Sequence, residues 1–229
     1  DIDFEAGLVK ERACFLELRS TAECAALRHV FFSERAARPP ANVKAAGPQS
    51  LDRTVVVGGG TMGAGIAYAL MQSGSAVTLV ERDEEAAASA RTRVSRLLDA
   101  AVSRGLTCAD KAAAELTSMR FQVGYDDLQH AGLAIEAAFE DMAVKKDVLA
   151  ALDSAMPDAV LATNTSYLDI NKMAGWLADP SRLVGLHFFS PAHIMKLLEI
   201  VRGKASSDMA LATGFALAKR LGKLPIMVG

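Results

Sequence analysis

The chain has 229 residues, 51% of them hydrophobic and 23% charged, with a net charge of −2 and a pI near 6.1. That is enough chain for one sizeable core plus an extra segment, and the balanced charge gives no global attraction to nucleic acid or to an anionic membrane. No apolar run reaches the roughly 18–20 residues that a membrane span needs, so neither nucleic acid nor a membrane span is expected.

Three cysteines, Cys14, Cys24 and Cys108, match no zinc, C-x-x-C or disulfide spacing, which favours a reducing, cytosol-like compartment. The opening "DIDFEAGLVKERACF" has neither the basic nor the apolar region of a signal peptide. It begins inside an amphipathic pattern, and the end "LGKLPIMVG" stops just after a predicted strand. Both ends are expected to be internal to a longer polypeptide.

Residues 4–36 carry apolar residues at helical spacing, through Leu8, Phe15, Leu16 and Leu18 and then Leu27, Val30 and Phe31. Residues 37–52, "ARPPANVKAAGPQSLD", contain three prolines and no periodicity, and are expected to be a linker. The pattern then changes. "RTVVV" reads as a strand, "TMGAGIAYALMQ" as a helix ending at Gly74, and "AVTLVE" as a second strand. A long helix follows over 83–105, with acids in its first turn as the helix dipole favours. Further strands are predicted at "MRFQVG", "LAIEAAF", "AVLATNT", "RLVGLHFF", "KLLEIV" and "LPIMV", with helices near 141–155, 168–177 and 207–221. Strands alternating with helices imply parallel pairing with right-handed crossovers.

The first turn of this region reads G-x-G-x-x-G at Gly58, Gly60 and Gly63. Alone the match is weak, but a strand precedes it, a helix follows, and Glu81 closes the next strand 18 residues after Gly63. Gly58 permits the tight turn. Gly60 lets backbone approach a pyrophosphate, and Gly63 lets helix and strand pack closely. The first helical turn, at Thr61 and Met62, offers free N–H groups to phosphate. Glu81 is placed to accept from adenosine ribose hydroxyls and to repel a 2′-phosphate, which favours NAD over NADP; Arg82 works slightly against that. Gly59 and Gly65 lie outside the pattern, and a small residue is expected to serve equally well at either. The expected fold is α/β, a Rossmann-like, doubly wound, mainly parallel sheet preceded by a helical linker segment.

Polar residues recur at the ends of the later strands. Glu136 lies within an apolar strand, where an acid is costly unless paired. Glu140 lies at that strand's carboxyl end, which faces the ligand crevice in such sheets. Asn164, Thr165 and Ser166 follow another strand; helix capping competes as an explanation for Thr165 and Ser166. In "HFFSPAHIMKLLE", His187, His193 and Glu199 allow a metal triad, a histidine–carboxylate dyad or incidental polar residues in a core strand. No soft ligands lie nearby, so no metal is expected. His187 ends a predicted strand, whereas His193 sits in the following loop, so strand-end placement favours His187. A carboxylate on one imidazole nitrogen fixes the tautomer and raises basicity, which suits removal of an alcohol proton.

Taken together, "VVVGGGTMGAGIA", "IEAAFED", "TNTS", "GLHFFSPAHIMKLLEIV" and "LGKLP" over residues 53–229 resemble the L-3-hydroxyacyl-CoA dehydrogenases of fatty-acid β-oxidation. The resemblance implies NAD as cofactor and a (3S)-hydroxyacyl-CoA as substrate. It implies His187 as general base, Glu199 as its orienting partner, Ser166 bonded to the substrate oxygen, and Glu140 and Lys145 on the cofactor. "CAALRHVFFSERAA" is similar to the segment that joins an enoyl-CoA hydratase domain to the dehydrogenase in multifunctional β-oxidation enzymes.

Several expectations follow from that likeness. Residues 1–36 join to a hydratase domain, 37–52 link, 53–229 bind NAD, and the C-terminal helical domain lies outside this sequence. Ser190, where many relatives carry Asn, points to the peroxisomal-type enzymes and their bacterial counterparts. That implies a bacterial cytoplasm, or a peroxisome if the source is eukaryotic. Arg93, Arg96 and Arg104 fall where the family borders CoA, although a solvated helix face is the better explanation for them. The alternative is a non-catalytic NAD-binding relative of the same fold; the joint presence of Ser166, His187 and Glu199 argues against it.

Overall fold

The computed structural model describes residues 2–229, which divide into two units at Arg38–Pro39. The first unit is two helices, α1 (Phe4–Arg19) and α2 (Ala22–Ala36), rather than the single predicted one. The break lies where Ser20 closes α1 and the Thr21 hydroxyl accepts the Cys24 N–H as the N-cap of α2. No residue of either helix is buried.

The second unit holds α3 (Ala41–Ala46), β1 (Arg53–Val57), α4 (Thr61–Gln72), β2 (Ala76–Glu81), α5 (Glu84–Ser103), α6 (Ala109–Ser118), β3 (Arg120–Val123), β4 (Leu133–Glu136) and α7 (Met142–Ala155). It continues with β5 (Val160–Thr163), α8 (Ile170–Ala174), β6 (Leu183–Phe188), β7 (Leu197–Val201), α9 (Asp208–Arg220) and β8 (Leu224–Val228). The strands form one sheet in the order β3-β2-β1-β4-β5-β6-β7-β8. From β3 to β6 every pairing is parallel; β7 runs antiparallel to β6, and β8 parallel to β7. The order 3-2-1-4-5-6 is that of a dinucleotide-binding sheet, with its reversal between β1 and β4.

Alternate strand residues feed two cores. Val56, Leu79, Ile135, Ala162 and Leu186 pack with α4, α5 and α9, whereas Val55, Val80, Ala134 and Leu161 pack with α7 and α8. Central parallel strands covered on both faces are apolar throughout, which is why they read as continuous runs.

Two segments depart from expectation. Residues 39–52 are not a free tether: α3 places Val43 fully buried in the core, the Asn42 amide reaches Asp208 at 2.8 Å, and the Gln49 N–H bonds the Thr213 hydroxyl at 3.0 Å. Single apolar anchors such as Val43 and Leu51 are too sparse to register as periodicity. α6 was not predicted either. It buries only Ala112, so its helix-forming alanines leave almost no apolar stripe.

A buried cation holds the entry to β6. Arg182 is 6% exposed, donates to the Met156 and Ala159 carbonyls at 2.8 Å each, and pairs with Asp153. Breaking a buried pair costs about 3–5 kcal/mol. Arg182→Met is therefore expected to lower the thermal midpoint by about 10 °C. A shift under 2 °C in calorimetric melting would refute the anchoring role.

Candidate active site

The glycine turn connects the carboxyl end of β1 to α4. Gly58 has φ +93°, and a Cβ there would lie 2.8 Å from the Ala137 carbonyl oxygen. A Cβ at Gly63 would overlap the Gly58 carbonyl oxygen, whereas one at Gly60 would meet no protein atom within 4 Å. Gly60 thus faces open space, so its lack of a side chain leaves room for a ligand rather than for packing. The Ala64 N–H bonds the Gly60 carbonyl, and the earlier amides of α4 point outward from the helix N-terminus, the arrangement that receives phosphate.

Glu81 grips this turn: its Oε1 accepts the Gly59 N–H at 2.6 Å. Arg93 donates to the Gly59 carbonyl at 3.1 Å. Gly59 therefore has both its backbone groups engaged, and a Cβ there would overlap that of Ala90. The expectation that any small residue serves at Gly59 is incorrect, because α5 crosses the turn at this point. At Gly65 the nearest contact would be 3.3 Å, to the Ala192 Cβ, which asks only a few tenths of an ångström. Gly59→Ala is expected to weaken cofactor binding at least tenfold, the effect of about 1.4 kcal/mol of strain. Gly65→Ala should change it less than threefold. Equal dissociation constants for the two variants in calorimetric titration would contradict this.

A crevice of about 1160 Å³ opens along the carboxyl ends of β1, β2, β4 and β5. Its walls include Gly58, Gly60, Thr61, Met62, Glu81 and Arg93 on one half and Glu140, Lys145, Asn164 and Ser166 on the other. Each predicted cofactor residue except the closely packed Gly63 therefore lines it.

Beneath the second half lies a buried polar cluster. Lys145, 1% exposed, directs its ammonium to Glu136 Oε1 and Oε2 at 2.9 Å each and to Glu140 Oε2 at 3.0 Å. Glu136, fully buried, also accepts the Thr163 hydroxyl and the Ala138 N–H at 2.7 Å. Glu140 Oε1 accepts the Thr165 hydroxyl at 2.6 Å and the Ser166 N–H at 2.8 Å. Burial pushes the Glu140 carboxyl up, but the bonds from Thr165, Ser166 and Lys145 outweigh it and hold it below the usual carboxylate range. Thr165 caps no helix: its hydroxyl accepts the Leu168 N–H at 3.0 Å within the loop after β5, and the N-cap of α8 is Asp169.

One strand further on, His187 and Glu199 are direct cross-strand partners of β6 and β7, with His187 Nδ1 2.7 Å from Glu199 Oε2. The antiparallel ladder explains how residues 12 positions apart meet. His187 is 19% exposed at its side chain, with the Phe189 ring 4.5 Å away. Asn164 ties the crevice to this dyad: its Oδ1 accepts the Phe188 N–H at 2.9 Å. His193 is not part of the dyad. It packs edge-on against Tyr68 at 5.4 Å, and burial, with Arg104 and Lys223 nearby, holds its pKa below the ordinary histidine value. No three potential metal ligands converge among the described residues.

The remaining candidates separate. Ser190 is exposed, in the loop between β6 and β7. Arg93 belongs to the glycine turn, where its only hydrogen bond is the one to Gly59. Arg104 lies 11 residues along α5, roughly 16 Å away, and Arg96 is exposed on the same helix. Lys223 was not anticipated. Its ammonium donates to the Ala192 and Met195 carbonyls at 2.7 and 2.6 Å and so fastens the loop beyond His187. Asn164 and Glu136 were also left out of the predicted site, although a polar residue at a strand's carboxyl end, or inside an apolar strand, is signal enough.

The fold, the glycine turn and the strand-end dyad define a nicotinamide-dinucleotide-binding dehydrogenase domain. The family profile "3-hydroxyacyl-CoA dehydrogenase, NAD binding domain" matches residues 53–229, and the chain belongs to that family. Its cofactor is NAD. The peroxisomal bifunctional enzyme of Cavia porcellus is 37% identical over 99% of this chain and 32% of its own length. The fatty acid oxidation complex subunit alpha of Pseudomonas putida is 35% identical over 98% of this chain and 32% of its own. This chain therefore spans about a third of the length of the curated relatives it matches. Among solved structures, the (S)-3-hydroxybutyryl-CoA dehydrogenase PaaH1 of Ralstonia eutropha is similar with a TM-score of 0.75 and 34% identity, over 78% of this chain and 63% of that one. No helix among the described residues is long and apolar enough to cross a membrane.

Proposed function

We propose that this chain is the NAD-binding part of a multifunctional β-oxidation enzyme that oxidises a (3S)-hydroxyacyl-CoA to the 3-oxoacyl-CoA. The observation that carries the reading is the 2.7 Å His187–Glu199 pair at a strand end, joined through Asn164 to the dinucleotide crevice. NAD, when bound, supplies the acceptor for the hydride that leaves C3. The glycine turn holds its pyrophosphate, Glu81 its adenosine ribose, and Glu140 the other half, with Lys145 beneath. His187 Nε2 takes the hydroxyl proton, and Glu199 accepts the Nδ1–H and stabilises the resulting imidazolium. Ser166, its backbone fixed by Glu140, donates to the substrate oxygen. Ser190, Arg96 and Arg104 do not line the crevice and are assigned no contact with the cofactor.

In the parent chain, residues 1–36 join to a hydratase domain, and a helical domain after residue 229 closes over the acyl group. The longer bacterial and peroxisomal relatives support this arrangement, with the protein in a bacterial cytoplasm or, in a eukaryote, a peroxisome. The test has two parts. Calorimetric titration of this chain should give NAD binding and at least tenfold weaker NADP binding, as repulsion of a 2′-phosphate by Glu81 requires. The parent protein should form NADH from (3S)- but not (3R)-hydroxyacyl-CoA. NADH formation from neither enantiomer would overturn the assignment.

A further inference from the structure

The buried cluster under the crevice contains two carboxylates and one ammonium, and the way the ammonium is shared decides where the remaining charge sits. Lys145 makes two of its contacts to Glu136 and one to Glu140. Glu136 is fully buried and held by three groups, Lys145, the Thr163 hydroxyl and the Ala138 N–H, so it cannot turn away from Lys145. Glu140 is the member that reaches the crevice, with 29% of its side chain exposed. Lys145 and Glu140 are also the only charged residues lining the half of the crevice formed by β4 and β5, among the described residues. The charges of the other half, Glu81, Arg82, Asp83, Glu85 and Arg93, lie around the end of β2 and the start of α5.

We propose that this triad presents one net negative charge to the nicotinamide half of the crevice and thereby selects the oxidised cofactor over the reduced one. In this arrangement Glu136 is a positioning residue. By taking most of the Lys145 charge, it keeps that lysine from neutralising Glu140. The inference rests on the reading of the crevice as the NAD site, with the adenosine half at Glu81 and the nicotinamide half beyond the reversal of strand order. The oxidised and reduced cofactors are alike except at the nicotinamide, which is cationic when oxidised and neutral when reduced. Everything the glycine turn and Glu81 contribute therefore cancels in the ratio of the two affinities. What survives is the interaction of the ring charge with its surroundings, which low effective dielectric makes substantial.

The experiment measures dissociation constants of this chain for NAD by calorimetry and for NADH by fluorescence, in the native sequence and in three variants. In Glu140→Gln the ratio Kd(NADH)/Kd(NAD) is expected to fall about tenfold, the scale of one screened charge pair. In Glu136→Gln it should fall by a similar factor, although this side chain never faces the crevice. Arg182→Met, destabilised but remote from the crevice, should leave the ratio unchanged. Glu140→Gln decides the matter even if Glu136→Gln does not fold, because its side chain is partly exposed. An unchanged ratio in Glu140→Gln, or equal losses of both cofactors, overturns the charge-selection inference and leaves the NAD reading intact. Absence of binding of either cofactor by the native chain overturns the NAD reading itself.

Discussion

His187→Gln in the full-length parent protein is expected to cut NADH formation by about 10²–10⁴-fold, the usual contribution of a positioned general base. NAD affinity should remain within twofold of the native value. The separation follows from placement: His187 sits on β6, whereas the residues lining the crevice come from β1 to β3, the ends of β4 and β5 and the segments that follow them. Glutamine keeps a polar group near Glu199 but cannot accept the alcohol proton. Glu199→Gln should be less damaging than His187→Gln, because the base survives with its orientation and its imidazolium less well supported. His193→Gln should do less still, since that ring packs against Tyr68 and has no bond to the dyad. Steady-state kinetics with a (3S)-hydroxyacyl-CoA, paired with calorimetric NAD titration, reads all three. Equal loss of turnover from His187→Gln and His193→Gln would sink the assignment of the base.

Gly63→Ala is the second large effect. The added methyl would overlap the Gly58 carbonyl oxygen, which is backbone and cannot rotate aside. A Cβ at Gly58 would itself lie within 3 Å of Ala137 and Ala138, so the space on that side of the turn is already close to filled. Relief requires α4 to shift away from β1, which disrupts the close packing of helix on strand that the motif depends on. Overpacking of this kind costs about 1–3 kcal/mol or more. The expected result is a drop of several degrees in thermal midpoint and a rise of at least tenfold in the Kd for NAD. Native affinity in the variant would show that the turn is more compliant than its contacts imply.

The fold was legible where sequence carries periodic or punctuated signals. The glycine turn, the β-branched strands and the acid-capped long helix leave direct marks. Residues that act through single contacts leave few. Val43 is the one buried residue of α3, and Lys223 fastens a loop with one ammonium, so neither belongs to a pattern. The break at Thr21 is one hydroxyl in an otherwise continuous amphipathic run. In the site, strand-end placement singles out His187, whereas Glu199 enters as its partner through the family resemblance; the antiparallel β6–β7 pairing that brings the two together leaves no mark of its own in the sequence. The Glu136–Lys145–Glu140 cluster was only half readable. The sequence shows a costly acid inside an apolar strand, but not that its partner lies one helical turn into α7 and serves a second carboxylate as well. The obstacle at Gly59 is Ala90 on α5, 31 positions away, which no local motif contains.

The dyad's position on facing rungs of the β6–β7 ladder has a further consequence. Its alignment is set by hydrogen-bonded register, not by the eight residues, 189–196, that connect the two strands. That connecting segment is fastened separately, with Ala192 buried and two of its carbonyls held by Lys223, so the pairing of the two side chains and the shape of the loop rest on different contacts.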